Sequence, residues 1–420
     1  MTENQNQQSK KVFCTAPFFN LYYKGNKDYN KIMPCCEGRL GSLGNFSHYE
    51  EYSKSKWLRN IRKKMLNNEP AEICTRCVSV EEAGGFNARE HYRNLLEKIE
   101  FRTKEKVEFN FKNGNQHGHP MALDYRGSNL CNLKCRMCHQ GSSSEIAKEI
   151  NKNQDLYRPM GYGNGVSHLY INNKLPNEFI DELKLDNVYR FKILGGEPLM
   201  QEDVYIGLEK MAQLPHRKEV DISFTTNATN FPKRFYDLIG KFRRILMRVS
   251  LDGVDDVFEY CRSNGNWDKI MKNITSLSER GYTQNELALG FSFVIQFYNV
   301  FRIYDIMEWC AKWEDEHPVE TSIWSMHTFF SPIEQNHLST AMCTTEDREF
   351  LRQELDRFLK DYGRRSWFDR VENIIFNFDE NRNFDKEKAK ETLIVYSKNL
   401  DKIRKTNLPD LHERYSKYYE

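Results

Sequence analysis

The sequence has no long hydrophobic run and almost no net charge. None of its apolar stretches reaches the roughly 18 residues that a membrane-spanning helix needs, and residues 1–11 are polar. We therefore expect neither a signal peptide nor a membrane anchor. Basic and acidic residues number 62 and 60 and are interspersed, so charge gives no clear sign of nucleic-acid binding. These absences predict a soluble cytoplasmic protein.

Cysteine, by contrast, is present at 11 positions. Most of these cysteines fall in two groups with the spacing of metal ligands, and few stand singly. In a reducing compartment this arrangement indicates metal binding rather than disulfide bonds. Cys310, in an apolar helical stretch, and Cys343 fall outside both groups, and Cys310 is predicted to be a small core residue.

The more compact group is the C-x3-C-x2-C run formed by Cys131, Cys135 and Cys138. Such a loop places three thiolates on one four-iron cluster while supplying no fourth ligand. One iron then stays open, and an open position separates a catalytic metal centre from a closed structural one. On the triplet alone, a structural zinc knuckle is the alternative, because thiolates also suit zinc.

A glycine-rich segment, Gly195-Gly196-Glu197-Pro198, follows a β-rich run further along the chain. The triplet followed by this segment resembles the radical SAM superfamily. In that family the open iron of a 4Fe-4S cluster binds S-adenosylmethionine, and the reduced centre cleaves it to a 5'-deoxyadenosyl radical that abstracts hydrogen from a substrate. The resemblance implies that Gly195, Gly196, Glu197 and Pro198 hold the amine of the methionine moiety.

Three later motifs follow in the order that the family shows. Asn227 lies in Thr-Thr-Asn-Ala-Thr, which departs from the family pattern because Ala228 replaces glycine. By resemblance, Ser250 contacts polar groups of the cofactor. Arg262 is similar to the arginine that pairs with the methionine carboxylate, a role that suits a bidentate guanidinium.

The resemblance also implies two contacts with the adenine of the cofactor. Met137, just before the last cysteine of the triplet, stands where the family has a bulky side chain, and a polarisable thioether can serve that packing role. Val294, on the fifth predicted strand, is expected to offer backbone hydrogen bonds, a placement that depends on fold analogy.

The second cysteine group, Cys14, Cys35, Cys74 and Cys77, precedes these motifs. Four thiolates can complete the coordination of one iron-sulfur cluster or one zinc ion, so spacing does not choose the metal. The order cysteine, aromatic strand, glycine turn, second strand and cysteine resembles an auxiliary module of the SPASM/twitch type, which implies a second 4Fe-4S cluster. Cys36 is the alternative to Cys35, since neighbours on a strand point to opposite faces.

From Met121 onward, β-rich runs alternate with helical or loop segments. This alternation implies a parallel sheet, and six such units make a partial barrel with its chemistry at the carboxyl ends of the strands. The predicted strands are Ala122–Arg126, Arg190–Leu194, Asp221–Thr225, Ile245–Ser250, Leu287–Val294 and Thr321–Ser325.

The predicted fold class is therefore α/β, organised in three parts. Residues 1–118 form the twitch-type auxiliary cluster module, residues 119–335 form a partial (β/α)6 TIM-like radical SAM barrel, and residues 336–420 form a C-terminal helical region. Helical periodicity in Glu346–Leu359 indicates the last of these.

The favoured function is a radical SAM enzyme that abstracts hydrogen from its substrate and oxidises it through the auxiliary cluster, by dehydrogenation or cross-link formation. A redox-neutral epimerase or lyase is the alternative, in which Cys261 is a weak candidate for returning a hydrogen atom to the substrate. A non-enzymatic iron-sulfur or zinc protein is a remote alternative. The substrate class stays open between peptide, nucleotide and small metabolite, and an external donor such as flavodoxin or ferredoxin is expected to supply electrons.

Overall fold

The computed structural model describes residues 12–25, 31–38, 46, 48–82, 88–115, 118–161, 185–317, 326–331, 335–378 and 384–419. One sheet of eight strands has the order β10-β9-β7-β6-β5-β3-β1-β2, and β4 and β8 form a second sheet. The pairs β1–β3, β3–β5, β5–β6 and β9–β10 are parallel, whereas β1–β2 is antiparallel. The strands are β1 (Asn20–Lys24), β2 (Lys31–Met33), β3 (Ala122–Arg126), β4 (Lys134–Cys135), β5 (Arg190–Leu194), β6 (Asp221–Thr226), β7 (Arg244–Ser250), β8 (Arg262–Ser263), β9 (Leu287–Val294) and β10 (Met326–Phe330).

Helices surround the sheet and dominate the carboxyl-terminal part of the chain, which confirms the predicted α/β class and its helical extension. None of the helices in the described ranges has both the length and the apolar character needed to cross a bilayer. The α-helices are α1 (Ala16–Phe19), α2 (Tyr49–Lys54), α3 (Lys56–Leu66), α4 (Thr75–Glu82), α5 (Ala88–Thr103), α6 (Ser144–Lys152), α7 (Gln154–Tyr157), α8 (Glu202–Met211), α9 (Lys233–Tyr236), α10 (Asp255–Cys261), α11 (Trp267–Ser278), α12 (Ile303–Glu316), α13 (Thr345–Tyr362), α14 (Phe368–Asn373), α15 (Lys386–Arg404) and α16 (Ser416–Tyr419).

The predicted strands agree closely with the observed ones. Three have the predicted bounds (β3, β5 and β9), and β6 and β7 are each one residue longer than predicted. The run Thr321–Ser325 lies outside the described residues, and β10 begins directly after it. Strand β1 was not among the predicted strands of the barrel, yet it pairs in parallel with β3, with Tyr22 opposite Asp124. The aromatic run Asn20–Lys24 joins this sheet because tyrosines pack well on a pleated surface.

The chain divides into two compact units. The first comprises residues 1–128, 169–224 and 233–246. Its core includes Phe18, Phe19, Met65, Leu96 and Met121, all less than 3% exposed. On its part of the sheet, the buried rings of β1 and β3 stack at a centroid distance of 5.4 Å between Tyr23 and Tyr125. The apolar face thus fixes the register of β1, since a slip of β1 by one residue would turn Tyr23 to the other face of the sheet, away from Tyr125.

The second unit comprises residues 129–168, 225–232 and 247–420. Aromatic rings fill the space between its strands and α12, with ring centroids 5.0 Å apart for Phe291–Trp309 and 5.4 Å for Phe293–Phe329. Cys310 is fully buried in this core, as predicted. The domain boundaries placed after residues 118 and 335 stay a prediction.

Candidate cluster and cofactor site

The turn after β5 brings the glycine-rich segment close to the residue that precedes the cysteine loop. Gly195 has φ +138°, and a Cβ atom there would lie 2.8 Å from the carbonyl oxygen of Ser128. The next amide, of Gly196, donates to that same oxygen at 3.0 Å. A side chain at Gly195 would both strain the backbone and collide with it, so the close approach requires glycine.

Glu197 is 2% exposed and caps the short 3-10 helix Pro198–Met200. Its Oε1 accepts from the amide of Leu199 at 3.2 Å, and its backbone carbonyl accepts from Nε2 of Gln201 at 3.3 Å. Among the described residues, the buried Oε1 of Gln201 has no hydrogen-bond partner. Because a buried acceptor without a donor is costly, this turn is suited to a ligand that carries N–H groups.

Hydrogen bonds to its backbone hold the cysteine loop in place. The Oγ of Ser144 accepts from the amide of Cys131 at 3.2 Å and donates to the carbonyl of Cys131 at 3.1 Å. The amide of Cys138 donates to the carbonyl of Cys135 at 3.0 Å. Strand β4 pairs with β8, so that Cys135 lies opposite Arg262. These bonds hold the chain around all three predicted ligands.

The three thiols of the loop interact electrostatically. A hydrogen bond from Cys138 lowers the pKa of Cys135 to about 7, and the cation of Arg262 also favours that thiolate while burial opposes it. The same hydrogen bond, burial and the charges of Cys135 and Cys131 raise the pKa of Cys138 well above its usual value. Asn227 Nδ2 lies 3.9 Å from the Sγ of Cys131. The structure therefore brings the triplet together, with Asn227 beside it.

Arg262 lies between a carboxylate and the cysteine loop. Its Nη2 is 2.7 Å from Oδ2 of Asp252, and its Nη1 donates to the Sγ of Cys135 at 3.6 Å. Burial lowers the pKa of Arg262, but the charges of Asp252, Cys135 and Cys138 and the hydrogen bond to Asp252 together outweigh that effect, so the net shift is upward. Its buried Nε has no hydrogen-bond partner among the described residues. The guanidinium therefore has a donor left for a ligand carboxylate.

The remaining predicted cofactor contacts have protein neighbours of their own. Ser250 Oγ accepts from Ser292 at 3.3 Å. Val294 donates its amide to Oδ1 of Asp252 at 2.7 Å and accepts from Asn299 at 2.7 Å through its carbonyl, so both backbone groups have partners. Met137 is half-buried. The roles of Ser250, Val294 and Met137 stay predictions.

Cys261 is fully buried. Burial raises the pKa of its thiol far above the usual value, and Nε2 of Gln296 lies 3.9 Å from its Sγ. Its carbonyl accepts from the amide of Arg136 at 2.8 Å. These contacts are those of a packed thiol, as expected for most cysteines in this position.

The amino-terminal cysteines gather within the first unit. The pKa of Cys14 is raised to about 12, first by burial and then by the neighbouring charges of Cys74 and Cys77, while a backbone hydrogen bond at Ala16 and the charge of Arg89 oppose the shift. Burial also raises the pKa of Cys35 well above normal, followed by the charges of Cys14, Cys36, Cys74 and Cys77. The four predicted ligands thus lie within electrostatic reach of one another.

Cys36 has different neighbours. Its Sγ lies 3.7 Å from the hydroxyl of Tyr92 and 3.8 Å from Oε1 of Glu37. After burial, the strongest influences on the pKa of its thiol are the charge of Lys192, which lowers it, and the charge of Asp124, which raises it. The adjacent cysteines therefore have different neighbours, although they lie beyond the end of β2 and Cys36 is in a turn rather than a strand.

Residues 125–310 match the sequence model of the Radical SAM superfamily. This segment is a radical SAM domain. It includes the cysteine loop, the glycine-rich turn and Arg262, and the match confirms the predicted family. Enzymes of this superfamily use S-adenosylmethionine and a 4Fe-4S cluster, which are the cofactors predicted for the triplet.

Curated relatives of the radical SAM domain include two kinds of enzyme. The mycofactocin maturase MftC of Mycolicibacterium smegmatis is 22% identical over 171 residues, which cover 40% of this chain and 37% of the relative. A probable GTP 3',8-cyclase of Methanococcus aeolicus is 28% identical over 189 residues, which cover 43% of this chain and 52% of the relative. The chain thus matches only part of the relatives' own length. SuiB of Streptococcus suis, solved with S-adenosylmethionine, has a TM-score of 0.33 and 14% identity, covering 81% of this chain and 68% of that one.

The donor set of the radical SAM domain fits these cofactors. Three soft thiolates with no fourth protein ligand in the loop suit an iron-sulfur cluster, and the unpartnered Nε of Arg262 suits a carboxylate. In the part of the chain that the structure describes, no three His, Cys, Asp or Glu side chains converge as around a single metal ion. A cuboidal cluster binds each thiolate at a different iron, so its ligands need not converge on one point.

Sequence reasoning missed two residues of the radical SAM domain. Asp252 forms an ion pair with Arg262. The sequence feature that could have indicated it is a carboxylate two residues after Ser250, in the turn at the end of a strand. Arg136 lies inside the triplet and is fully buried, and the signal was a cation between two predicted ligands. Neither signal identifies a partner by itself, because both side chains are bonded to residues distant in sequence.

Proposed function

We propose that this protein is a radical SAM enzyme that reductively cleaves S-adenosylmethionine, abstracts hydrogen from its substrate and oxidises it through an auxiliary 4Fe-4S cluster. The observation that carries the proposal is the position of Arg262, buried between Asp252 and Cys135 with Nε unpartnered among the described residues. When bound, the cluster and S-adenosylmethionine supply the electron and the carbon radical that start such reactions. The protein supplies position and electrostatics.

Within the proposal, each part of the site has a distinct task. Cys131, Cys135 and Cys138 bind the cluster, and Arg262 binds the carboxylate of the methionine moiety. The turn Gly195–Pro198, supported by the open acceptor of Gln201, binds its amine. The other cofactor contacts proposed are Met137, Asn227, Ser250 and Val294.

We further propose that Cys14, Cys35, Cys74 and Cys77 bind the auxiliary cluster in a twitch-type module. The mutual charges of these thiols, and the separate surroundings of Cys36, support this set. Four thiolates leave no position for a substrate, so the cluster is suited to accept an electron and not to bind the reacting molecule. All eleven cysteines lie among the described residues and each is a free thiol, in keeping with a reducing, cytoplasmic setting.

The names of the relatives support two kinds of substrate and two kinds of outcome. A maturase relative favours a peptide substrate, and an external donor such as flavodoxin or ferredoxin completes an oxidative cycle. The relatives named GTP 3',8-cyclase favour a nucleotide and a ring closure, which supports a redox-neutral enzyme as the second candidate. The two candidates share the cleavage of S-adenosylmethionine.

The shared step is tested with wild-type protein reconstituted anaerobically with iron and sulfide. With dithionite and S-adenosylmethionine, we expect 5'-deoxyadenosine by liquid chromatography, and none when dithionite is omitted. We also expect roughly eight irons per chain, since two 4Fe-4S clusters are proposed. Iron-loaded protein that forms no 5'-deoxyadenosine would contradict the enzyme proposal. Zinc together with about four irons would instead contradict the electron-acceptor role of the second site.

The assignment of Cys35 rather than Cys36 is tested by paired substitutions. Cys35→Ser is expected to reduce bound iron by about half, because a cluster that loses one of four thiolates is poorly held. Cys36→Ser is expected to leave iron at the wild-type level, since its neighbours are Tyr92 and Lys192 rather than the other cysteines. Iron analysis and visible absorption measure both variants, and the reverse pattern would assign Cys36 as the ligand.

A further inference from the structure

Arg136 lies between two proposed cluster ligands and yet is fully buried. Its guanidinium carbon sits 3.6 Å from the centroid of the Tyr260 ring, and its Nε donates to the carbonyl of Tyr260 at 3.0 Å. Its backbone amide donates to the backbone carbonyl of Cys261 at 2.8 Å. A buried cation is costly unless a carboxylate and hydrogen bonds compensate its charge. The group that compensates Arg136 therefore stabilises the cysteine loop.

The partner is Asp401, on α15, which is 265 residues away in the chain. Its Oδ1 accepts from Nη2 of Arg136 and from Thr406, and its Oδ2 accepts from the amide of Leu408 at 2.9 Å and from Tyr419 at 2.7 Å. Asp401 is 3% exposed. A carboxylate with this many donors is held in one position, and it holds the guanidinium in turn.

Helix α15 has two further ties to the cysteine loop. The hydroxyl of Tyr396 donates to the carbonyl of Arg136 at 2.9 Å. Arg404 Nη2 is 2.8 Å from Oε1 of Glu149, whose Oε2 pairs with Lys134, the residue before Cys135. Side chains of one helix, α15, therefore contact the segment that carries the proposed cluster ligands at several points.

We propose that Asp401 is a positioning residue, which acts through Arg136 to hold the segment between Cys135 and Cys138 in the shape that binds the cluster. This inference rests on the proposed function, because it assigns the cluster to the triplet. The Asp401 carboxylate also neutralises the cation of Arg136, the residue that follows Cys135. Without it, the uncompensated charge of Arg136 favours the reduced, more negative cluster, so the midpoint potential rises.

The chain offers a matched control for Asp401→Asn. Asp347, at the start of α13, is likewise fully buried, and it accepts from Lys417 at 2.7 Å and Arg414 at 3.1 Å. Among the described residues it accepts from Thr344, just before α13, and from Arg414, Lys417 and Tyr418 in the carboxyl-terminal segment. Asp347→Asn thus removes a comparable buried charge from the same unit without touching Arg136.

The first measurement is hydrogen exchange of the metal-free protein. In Asp401→Asn the amides of Arg136 and Cys138 are expected to exchange at least about tenfold faster than in wild type, because a charge-assisted hydrogen bond that restrains them is lost. Asp347→Asn is expected to leave both amides unchanged. Tyr396→Phe, which retains the ion pair, is expected to give a smaller increase and replaces Asp401→Asn if that variant does not fold.

The second measurement is the midpoint potential of reconstituted protein. The titration is monitored through the part of the electron paramagnetic resonance signal that changes when S-adenosylmethionine is added. Asp401→Asn is expected to raise the potential, and Asp347→Asn to leave it as in wild type. If wild type binds the cluster and both Asp variants behave alike in exchange and potential, the positioning role is overturned while the proposed function stands. If wild type takes up no iron at the triplet, the proposed function fails and this inference fails with it.

Discussion

Replacing Cys131, Cys135 and Cys138 together with alanine is expected to abolish 5'-deoxyadenosine formation and to lower bound iron by about half. The triplet supplies every proposed protein ligand of the radical SAM cluster, so its removal leaves only the auxiliary set of four thiols. Because those four lie in the first unit and the triplet in the second, the auxiliary iron is expected to remain. Iron analysis and a chromatographic assay measure the two effects.

A matched control for this prediction is Cys310→Ala. Cys310 is also buried, but it lies in α12, and the charge that acts on its thiol is that of Glu314 rather than of another cysteine. Iron and activity are expected to stay at wild-type levels in this variant. An unchanged iron content in the triple variant would show that the triplet is not a ligand set.

Arg262→Ala is expected to lower the free energy of unfolding by about 3–5 kcal/mol, because it leaves the carboxylate of Asp252 buried without its cation. Asp252 is 1% exposed, so bulk water does not screen its charge in the folded protein. The same variant is expected to bind S-adenosylmethionine at least about tenfold more weakly, since a charged hydrogen bond to a carboxylate is lost. Denaturant unfolding and calorimetric titration measure these two quantities.

Two further variants separate the charge of Arg262 from its packing. Arg262→Met combined with Asp252→Asn removes both charges and is expected to recover much of the stability but not the binding. Asparagine is chosen because residue 252 has φ +59°, a conformation that asparagine tolerates. Arg234→Ala, which breaks exposed pairs with Glu202 and Glu209, is expected to cost no more than about 1 kcal/mol. If Arg262→Ala lowers the free energy of unfolding as little as Arg234→Ala does, the interpretation of Arg262 and Asp252 as a buried ion pair is contradicted.

Ala228 shows how a departure from a family pattern acquires a physical explanation. In the sequence it counts against the match, because the family has glycine at this position. In the structure Ala228 has φ +54°, the left-handed conformation that glycine adopts most easily, and its amide donates to Oγ1 of Thr226 at 3.1 Å. The turn therefore retains the glycine-like backbone, at the cost of about 1 kcal/mol of strain.

The strands and the ligand loops were predictable because their signals are local. Strand β3 and strand β9 have the predicted bounds, since alternating or continuous apolar residues report burial within a few positions. The C-x3-C-x2-C loop follows the same rule, because its three proposed cluster ligands come from eight consecutive residues. By contrast, β1 was not predicted in the sheet, since its pairing with β3 spans about a hundred intervening residues.

Local chemistry in the chain thus specified the cofactor type: closely spaced thiols define a cluster loop wherever the rest of the chain lies. The tertiary structure alone decided which charges surround that loop. It placed Asp252 against Arg262 and Asp401 against Arg136. The physical reason is that a buried charge or thiol is stabilised by whichever group folding brings beside it, and sequence distance carries no information about that neighbour.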